Sequence, residues 1–222
     1  MTDGEETAKH RGLLIVLSGP SGVGKGTVGK RLRARMPELV YSVSVTSRPP
    51  RAGEVEGVNY FFRTRSQFEE MIRQDAFLEW AEYVSNYYGT PKAFVFEQLE
   101  QGRDVLLEID VQGARQVRER YPGGVFIFLA PPTWEALAER ISARGTEDAI
   151  VIRRRLAQAA REVEEIGLYD YIVVNDDIDA AVERIRCIIA AEHLRTTRIV
   201  EDFVRRLKRE EVRDEVSTDR RS

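Results

Sequence analysis

Leu13 to Thr27 reads LLIVLSGPSGVGKGT, an apolar run that gives way to glycine, lysine and threonine. That order of residue types suits a polyphosphate. Gly19, Gly22, Gly24 and Gly26 keep side chains clear of the backbone, so N–H groups can ring an anion. Pro20, Ser21 and Val23 complete the turn, and Lys25 supplies a mobile charge for the outer phosphates. A helix starting here points the positive end of its dipole at the same place. Gly19 through Thr27 is therefore expected to cradle a nucleoside triphosphate. The usual pattern has a serine or threonine directly after the lysine, as a hydroxyl for magnesium. Here Gly26 stands in that position and the hydroxyl comes one residue later, on Thr27. Magnesium is accordingly expected to be held by waters, phosphate oxygens and acids elsewhere.

A second chemical stretch runs from Ser42 to Tyr60, SVSVTSRPPRAGEVEGVNY. Arg48 and Arg51 flank two prolines that stiffen the chain and hold the guanidiniums apart. Two such forks beside Tyr60 suit a phosphate dianion. Further on, FLEWAEYVSNYYGTP offers Glu79, Tyr88 and Thr90. One carboxylate can accept the two adjacent donors of guanine, N1–H and the exocyclic amine. A hydroxyl from Ser44 or Thr90 can donate to O6. Adenine reverses that pattern and would leave buried groups unpaired.

Those residues need a scaffold. Strand-like apolar runs recur at 13–18, 104–109, 124–130 and 171–175, alternating with helical patterns near 25–36, 91–101, 112–120, 133–143 and 177–206. Alternation of this kind predicts an α/β fold, a parallel sheet covered by helices on both faces. Val28, Leu32 and Met36 share one helical face, and Phe94, Val95 and Leu99 another. In the last helix Val182, Ile185, Cys187, Ile188 and Ile189 are expected to be largely buried. Its extension, with Val200, Phe203, Val204 and Leu207, is expected to dock on the body. Residues 41–90 read as an inserted mixed-β lobe, and 144–168 as a helical, arginine-rich lid. The reading is thus a single domain over 12–206, with its core at 12–40, 91–143 and 169–206. Residues 1–11 and 208–222 read as flexible tails.

Bulk properties exclude several classes. The 222 residues suit one core with small insertions, and no apolar run approaches the ~20 residues that span a bilayer. The N-terminus MTDGEETAKHRG lacks the apolar centre of an export signal. The single cysteine, Cys187, allows neither an internal disulfide nor a zinc pair, and reads as a small core residue. His10 and His193 lie outside every motif and receive no catalytic role. A cytoplasmic, membrane-free protein is expected. The net charge of −3 disfavours general nucleic-acid binding. Positive charge is local instead. Arg140, Arg144, Arg153, Arg154, Arg155 and Arg161 form one cluster, Arg48, Arg51, Arg63 and Arg65 another. Such clusters suit compact anions, although Arg153, Arg154 and Arg161 read as a solvated helix face.

Taken in order, GPSGVGKGT, SVTSRPPRAGEVEGVNYFF, FLEW…NYYGTP, LLEIDVQGA, FLAPP, SARGT…RRRL and VVNDD resemble guanylate kinase over about Gly12 to Cys187. That family comprises P-loop nucleoside monophosphate kinases with a core, a GMP-binding lobe and a lid. The resemblance implies ATP and GMP as substrates and Mg2+ as cofactor. It implies that Ser44, Glu79 and Thr90 read guanine, and that Arg48, Arg51, Tyr60 and Tyr88 grip the GMP phosphate. Lys25 and the loop amides would hold the ATP phosphates. Arg144 and Arg155 would reach the transferred phosphoryl group, with Arg140 and Asn175 near the adenine. Glu108 and Asp110 fall where the family places acids near the acceptor base and hydrated magnesium, and which serves which is open. Asp110 could meet the metal through water. Adenylate kinases carry a similar GKGT ending, so Gly26 fits such chemistry.

Three other functions fit the same residues less well. A guanylate-kinase-like module that binds phosphopeptides typically has a degraded phosphate loop, whereas Lys25, Arg144 and Arg155 are present here. A P-loop kinase for a ribose bisphosphate has no use for Ser44, Glu79 and Thr90. No base-reading motif of a regulatory GTPase is visible.

Overall fold

A computed structural model of the chain describes residues 11–83, 85–142, 149–201 and 203–207. Of the tails expected at 1–11 and 208–222 only Arg11 is described; the rest of them, and Arg144 in the lid, lie outside the described residues.

Strand β1 (Leu14–Ser18) is buried along its whole length, as a central parallel strand must be. It sits in the middle of a sheet with β2 (Val40–Tyr41), β7 (Val105–Glu108), β8 (Val125–Ala130) and β9 (Tyr171–Val174), in the order β2-β7-β1-β8-β9. All four pairings are parallel. Successive side chains of β1 point to opposite faces. Ile15 and Leu17 pack on α1 (Lys25–Arg35), α5 (Trp134–Ser142) and α7 (Ile178–His193) through Val28, Leu32, Leu137, Ile141, Val182, Ile185 and Ile189. Leu14 and Val16 pack on α3 (Lys92–Glu100) and α4 (Val111–Arg120) through Val95, Leu99, Ala114 and Val117. The sheet is therefore a covered middle layer. Its strand ends carry Ser18, Glu108 and the loops beyond them to one edge.

The inserted lobe holds a second sheet, ordered β4-β3-β6-β5, from β3 (Val45–Thr46), β4 (Phe61–Phe62), β5 (Phe77–Tyr83) and β6 (Asn86–Pro91). Its small core is Val45, Phe68 and Phe77, with Phe61, Trp80 and Tyr87 against it. The lobe also carries α2 (Arg65–Arg73), opened by a capping box in which Thr64 and Gln67 satisfy each other's backbone. The lid contains α6 (Ala149–Glu164), followed by a short 3-10 turn to Leu168.

Four expectations from sequence are corrected. Tyr41 belongs to the main sheet, because β2 pairs with β7, so the lobe leaves the core after that strand. The helix expected over 177–206 breaks at Leu194. Arg195 and Arg198 fold back onto the carboxylate of Glu192, which is buried, and Arg198 also reaches the carbonyl of Gly123. Cys187 is exposed rather than in the core, since Ile185 and Ile189 take the inward face of α7. Val200, Phe203, Val204 and Leu207 do not dock on the body; each is more than 40% exposed.

Candidate active site

The phosphate loop is a left-handed turn enforced by glycine. Gly19, Gly22 and Gly24 have φ of 144°, 87° and 101°, a region other residues rarely adopt. Close packing excludes side chains there as well. A Cβ on Gly19 would lie 2.2 Å from the carbonyl of Leu129, and one on Gly24 would lie 2.7 Å from Asn175 Nδ2. Lys25 folds over the loop, its Nζ donating to the carbonyls of Gly19 at 2.6 Å and Pro20 at 3.3 Å. Thr27 stands in the first turn of α1, which begins at Lys25.

Arg140 and Asn175 brace this loop from behind. Asn175 Nδ2 and Arg140 both donate to the carbonyl of Val23, at 2.8 and 3.2 Å, and Arg140 also donates to the carbonyl of Asn175. The same two residues line a cleft of about 590 Å³ with Thr27, Lys30, Arg31 and Ile178. Its aliphatic walls and open polar rim suit a planar base. Arg155, on α6, donates to Ser21 Oγ at 2.9 Å, so the lid reaches the phosphate loop. Glu162 accepts from the Ser21 amide at 3.3 Å.

Glu108 ends β7 beside this loop. Its oxygens lie 3.3 Å from where a Cβ on Gly26 would stand and 2.8 Å from one on Gly29. Burial raises the Glu108 pKa, and Lys25 and Arg33 oppose that shift. Gly26 thus leaves room for a carboxylate where the common loop pattern has a hydroxyl. Asp110 is the N-cap of α4, accepting from the Gly113 amide at 2.7 Å.

Across the cleft, the lobe sheet aligns the second set. Glu79 and Thr90 are direct partners in the β5–β6 ladder, and Thr90 Oγ1 donates to Glu79 Oε1 at 2.6 Å. Both are buried. Burial pushes the Glu79 carboxyl up to about 7, against the hydrogen bonds from Thr90, and the charge of Asp110 adds to the rise. Val45 pairs with Gly89, so one more step along that antiparallel register sets Ser44 opposite Thr90. The guanine-reading residues expected from sequence therefore converge.

The residues expected from sequence to grip a phosphate are arranged around Arg48. Its guanidinium lies over the rings of Tyr60 and Phe62, and Tyr60 meets Tyr88 edge-on at 5.9 Å. Glu54 takes Arg48 bidentately, at 2.7 and 2.8 Å, and accepts the Arg51 amide at 2.7 Å. Those bonds hold the Glu54 carboxyl down at about 2 and raise the Arg48 pKa. The Arg51 side chain is exposed. Glu54 was missed by the sequence reading, although it stands within the quoted stretch, three residues past Arg51. Arg63 and Arg65 are not part of the site: they pair with Glu56 and with Glu69 and Glu82 on the lobe surface. Arg153, Arg154 and Arg161 are exposed on α6.

No helix among the described residues is long and apolar enough to cross a membrane. Among them no group of three or more His, Cys, Asp or Glu forms a metal cage.

The model of the guanylate kinase family matches residues 11–192. The chain is 55% identical to the guanylate kinase of Halalkalibacterium halodurans over 195 residues, covering 88% of this chain and 96% of that one. It is 54% identical to the guanylate kinase of Caldanaerobacter subterraneus over 190 residues, 86% of this chain and 92% of that one. The crystal structure of guanylate kinase from Anaplasma phagocytophilum superposes with a TM-score of 0.68 at 34% identity, covering 87% and 92% of the two chains. Together with the fold, the loop and the lobe sheet, these matches over most of its length show that the chain belongs to the guanylate kinase family, the ATP:GMP phosphotransferases.

Proposed function

We propose that this chain phosphorylates GMP from ATP with the residues described above in the following roles. The observation that carries the assignment is the buried Glu79–Thr90 pair, an acceptor and a hydroxyl fixed side by side on one rung of a ladder. The Glu79 carboxylate accepts N1–H and the 2-amino group of guanine, while Ser44 or Thr90 donates to O6. Arg48, Arg51, Tyr60 and Tyr88 hold the GMP phosphate, with Glu54 keeping the Arg48 fork oriented. The loop amides and Lys25 hold the ATP phosphates. Arg140 and Asn175 set the wall of the cleft that takes adenine.

No nucleophilic side chain is needed, because a GMP phosphate oxygen is already anionic. The barrier lies in bringing two anions together and stabilising spread charge in line. Lys25, Arg48, Arg51, Arg144 and Arg155 supply positive charge around the transferred group. Lid and lobe exclude the water that would otherwise hydrolyse ATP.

The donors present fit Mg2+. Glu108 offers hard carboxylate oxygens close beside the loop at Gly26, and Asp110, two residues on and near Glu79, could meet the ion through water. One or two carboxylates with waters and phosphate oxygens are what Mg2+ usually takes. When bound, the ion neutralises charge on the phosphates of ATP.

The test is ADP release with ATP and Mg2+ against GMP, AMP, CMP and UMP. Turnover with GMP alone is expected. Comparable turnover with AMP would overturn the guanine-reading assignment.

A further inference from the structure

Helix α4 meets the acceptor lobe at three successive levels, and each contact falls beside Glu79. At its first turn, a Cβ on Gly113 would lie 2.9 Å from Glu79 Oε2 and 3.3 Å from Asp110 Oδ1. One turn further, Gln116 grips the backbone of Trp80. Its Nε2 donates to the Trp80 carbonyl at 3.0 Å, and its Oε1 accepts the Trp80 amide at 3.2 Å. At the end of the helix, Arg120 donates to the Phe77 carbonyl at 2.6 Å and to Asp75 at 2.7 Å. Strand β5 is thus held by α4 at residues on both sides of Glu79.

That hold spans an irregularity in the ladder. The β5–β6 register shifts between Phe77 and Glu79. An irregularity of this kind leaves backbone groups unpaired and re-aims the side chains next to it. β5 is the edge strand of its sheet, and the Gln116 amide gives Trp80, from a helix, the donor and acceptor that a further strand would offer. Gly113 lets the helix come close enough to do so, since a side chain there would push on the Glu79 carboxylate. Gln116 is half-buried and was not marked by any motif.

We propose that Gln116 and Gly113 are positioning residues for base specificity. They set where the Glu79 carboxylate stands, and neither touches substrate. The inference rests on the reading of Glu79 as the acceptor for guanine. Accepting N1–H alone tolerates a misplaced carboxylate. Accepting N1–H and the 2-amino group together demands both oxygens in line. Discrimination between GMP and IMP, which lacks the 2-amino group, therefore reports the placement of Glu79.

The experiment compares steady-state kinetics with GMP and with IMP, at saturating ATP, for the wild type, Gln116→Met, Gly113→Ala and Glu79→Gln. Methionine keeps the length of Gln116 and removes both hydrogen-bonding groups. Gln116→Met is expected to raise the KM for GMP by about tenfold and to lower the GMP-over-IMP preference by a similar factor. The KM for ATP and the kcat at saturating GMP should stay near wild type. Gly113→Ala supplies the same readout should Gln116→Met fail to fold. If Glu79→Gln loses the preference while both α4 variants keep it, the positioning role is wrong and the Glu79 reading stands. If Glu79→Gln itself keeps the preference, both fall. A general loosening of the fold would raise the KM for ATP as well and leave the preference intact, which would also overturn the proposal.

Discussion

Thr90 donates to Glu79 across a single rung of the β5–β6 ladder, a 2.6 Å bond that holds a hydroxyl against a buried carboxyl whose pKa is pushed up to about 7. The pair has a cost that pH exposes. The folded pKa lies above the ordinary 4.5, so between those two values the native state binds a proton the unfolded chain has lost. Stability contributed at this position therefore falls as pH rises from about 4.5 to about 7, then levels off. Glu79→Gln keeps an acceptor for Thr90 and removes the ionisation. In the absence of nucleotide, Glu79→Gln should be more stable than wild type by roughly 3 kcal/mol above pH ~8, with the gap closing towards pH ~4. Urea midpoints at the two ends of that range check this. A gap independent of pH would show that Glu79 is not the strained group.

Lys25 is half-buried and folds over the loop, its ammonium donating to the carbonyls of Gly19 and Pro20 where the ATP phosphates are proposed to lie. Lys25→Ala should lower kcat by at least about a hundredfold, the scale for losing one preorganised charge at a reacting centre. Thermal melting should move little. Retained turnover, or a collapsed melting curve, would contradict the assignment of the loop.

How much of this was legible in sequence follows from length and periodicity. The phosphate loop and β1 were readable because an apolar strand, four glycines and a lysine leave little conformational choice. The core strands were readable because a covered parallel sheet needs unbroken apolar runs. Strand β2, with two residues, is too short to carry a period, so Tyr41 was assigned to the lobe. Helix α2 was hidden behind a tyrosine- and phenylalanine-rich composition, although its capping box, Thr64 and Gln67, was in the sequence. The break at Leu194 left no glycine or proline to mark it; it comes from Arg195 and Arg198 turning back to a buried Glu192. Within the site, motif residues were found, and the residues that hold them, Glu54, Gly113 and Gln116, were not. Their roles come from contacts between segments distant in sequence, or from a backbone approach that only the fold reveals.

The lobe has its own small core, and this predicts a separable failure. Phe68 is fully buried, stacked at 4.4 Å on Phe77 and at 5.2 Å on Tyr87. Phe68→Ala removes both stacking partners' neighbour and leaves a cavity, a change that costs about 3–5 kcal/mol in a well-packed interior. The cluster is separate from the two hydrophobic clusters that flank the main sheet, so the loss should fall first on the lobe. The KM for GMP should rise strongly while ATP binding, followed by titration of a fluorescent ATP analogue, persists. Equal loss of both would mean that lobe and core unfold as one unit.

His193 closes the far end of α7 onto the start of the sheet. Its Nε2 lies 2.7 Å from Asp104 Oδ2, and Asp104 Oδ1 accepts the Leu13 amide at 2.8 Å. The hydrogen bond to Asp104 raises the His193 pKa above 6.5, against burial and the repulsion of Arg198. A histidine with a raised folded pKa contributes stability that is complete below the unfolded value and lost as pH rises through the folded one. The imidazole side chain is 43% exposed, so solvent screening keeps the gain below about 1 kcal/mol. His193→Gln retains a neutral donor for Asp104 and cannot ionise. The wild type should therefore melt above His193→Gln at pH ~5.5 and level with it at pH ~8.5, and added salt should narrow the acidic difference. Two melting curves that stay parallel across that range would mean that the imidazole stays neutral beside Asp104 and that packing alone fixes the end of α7.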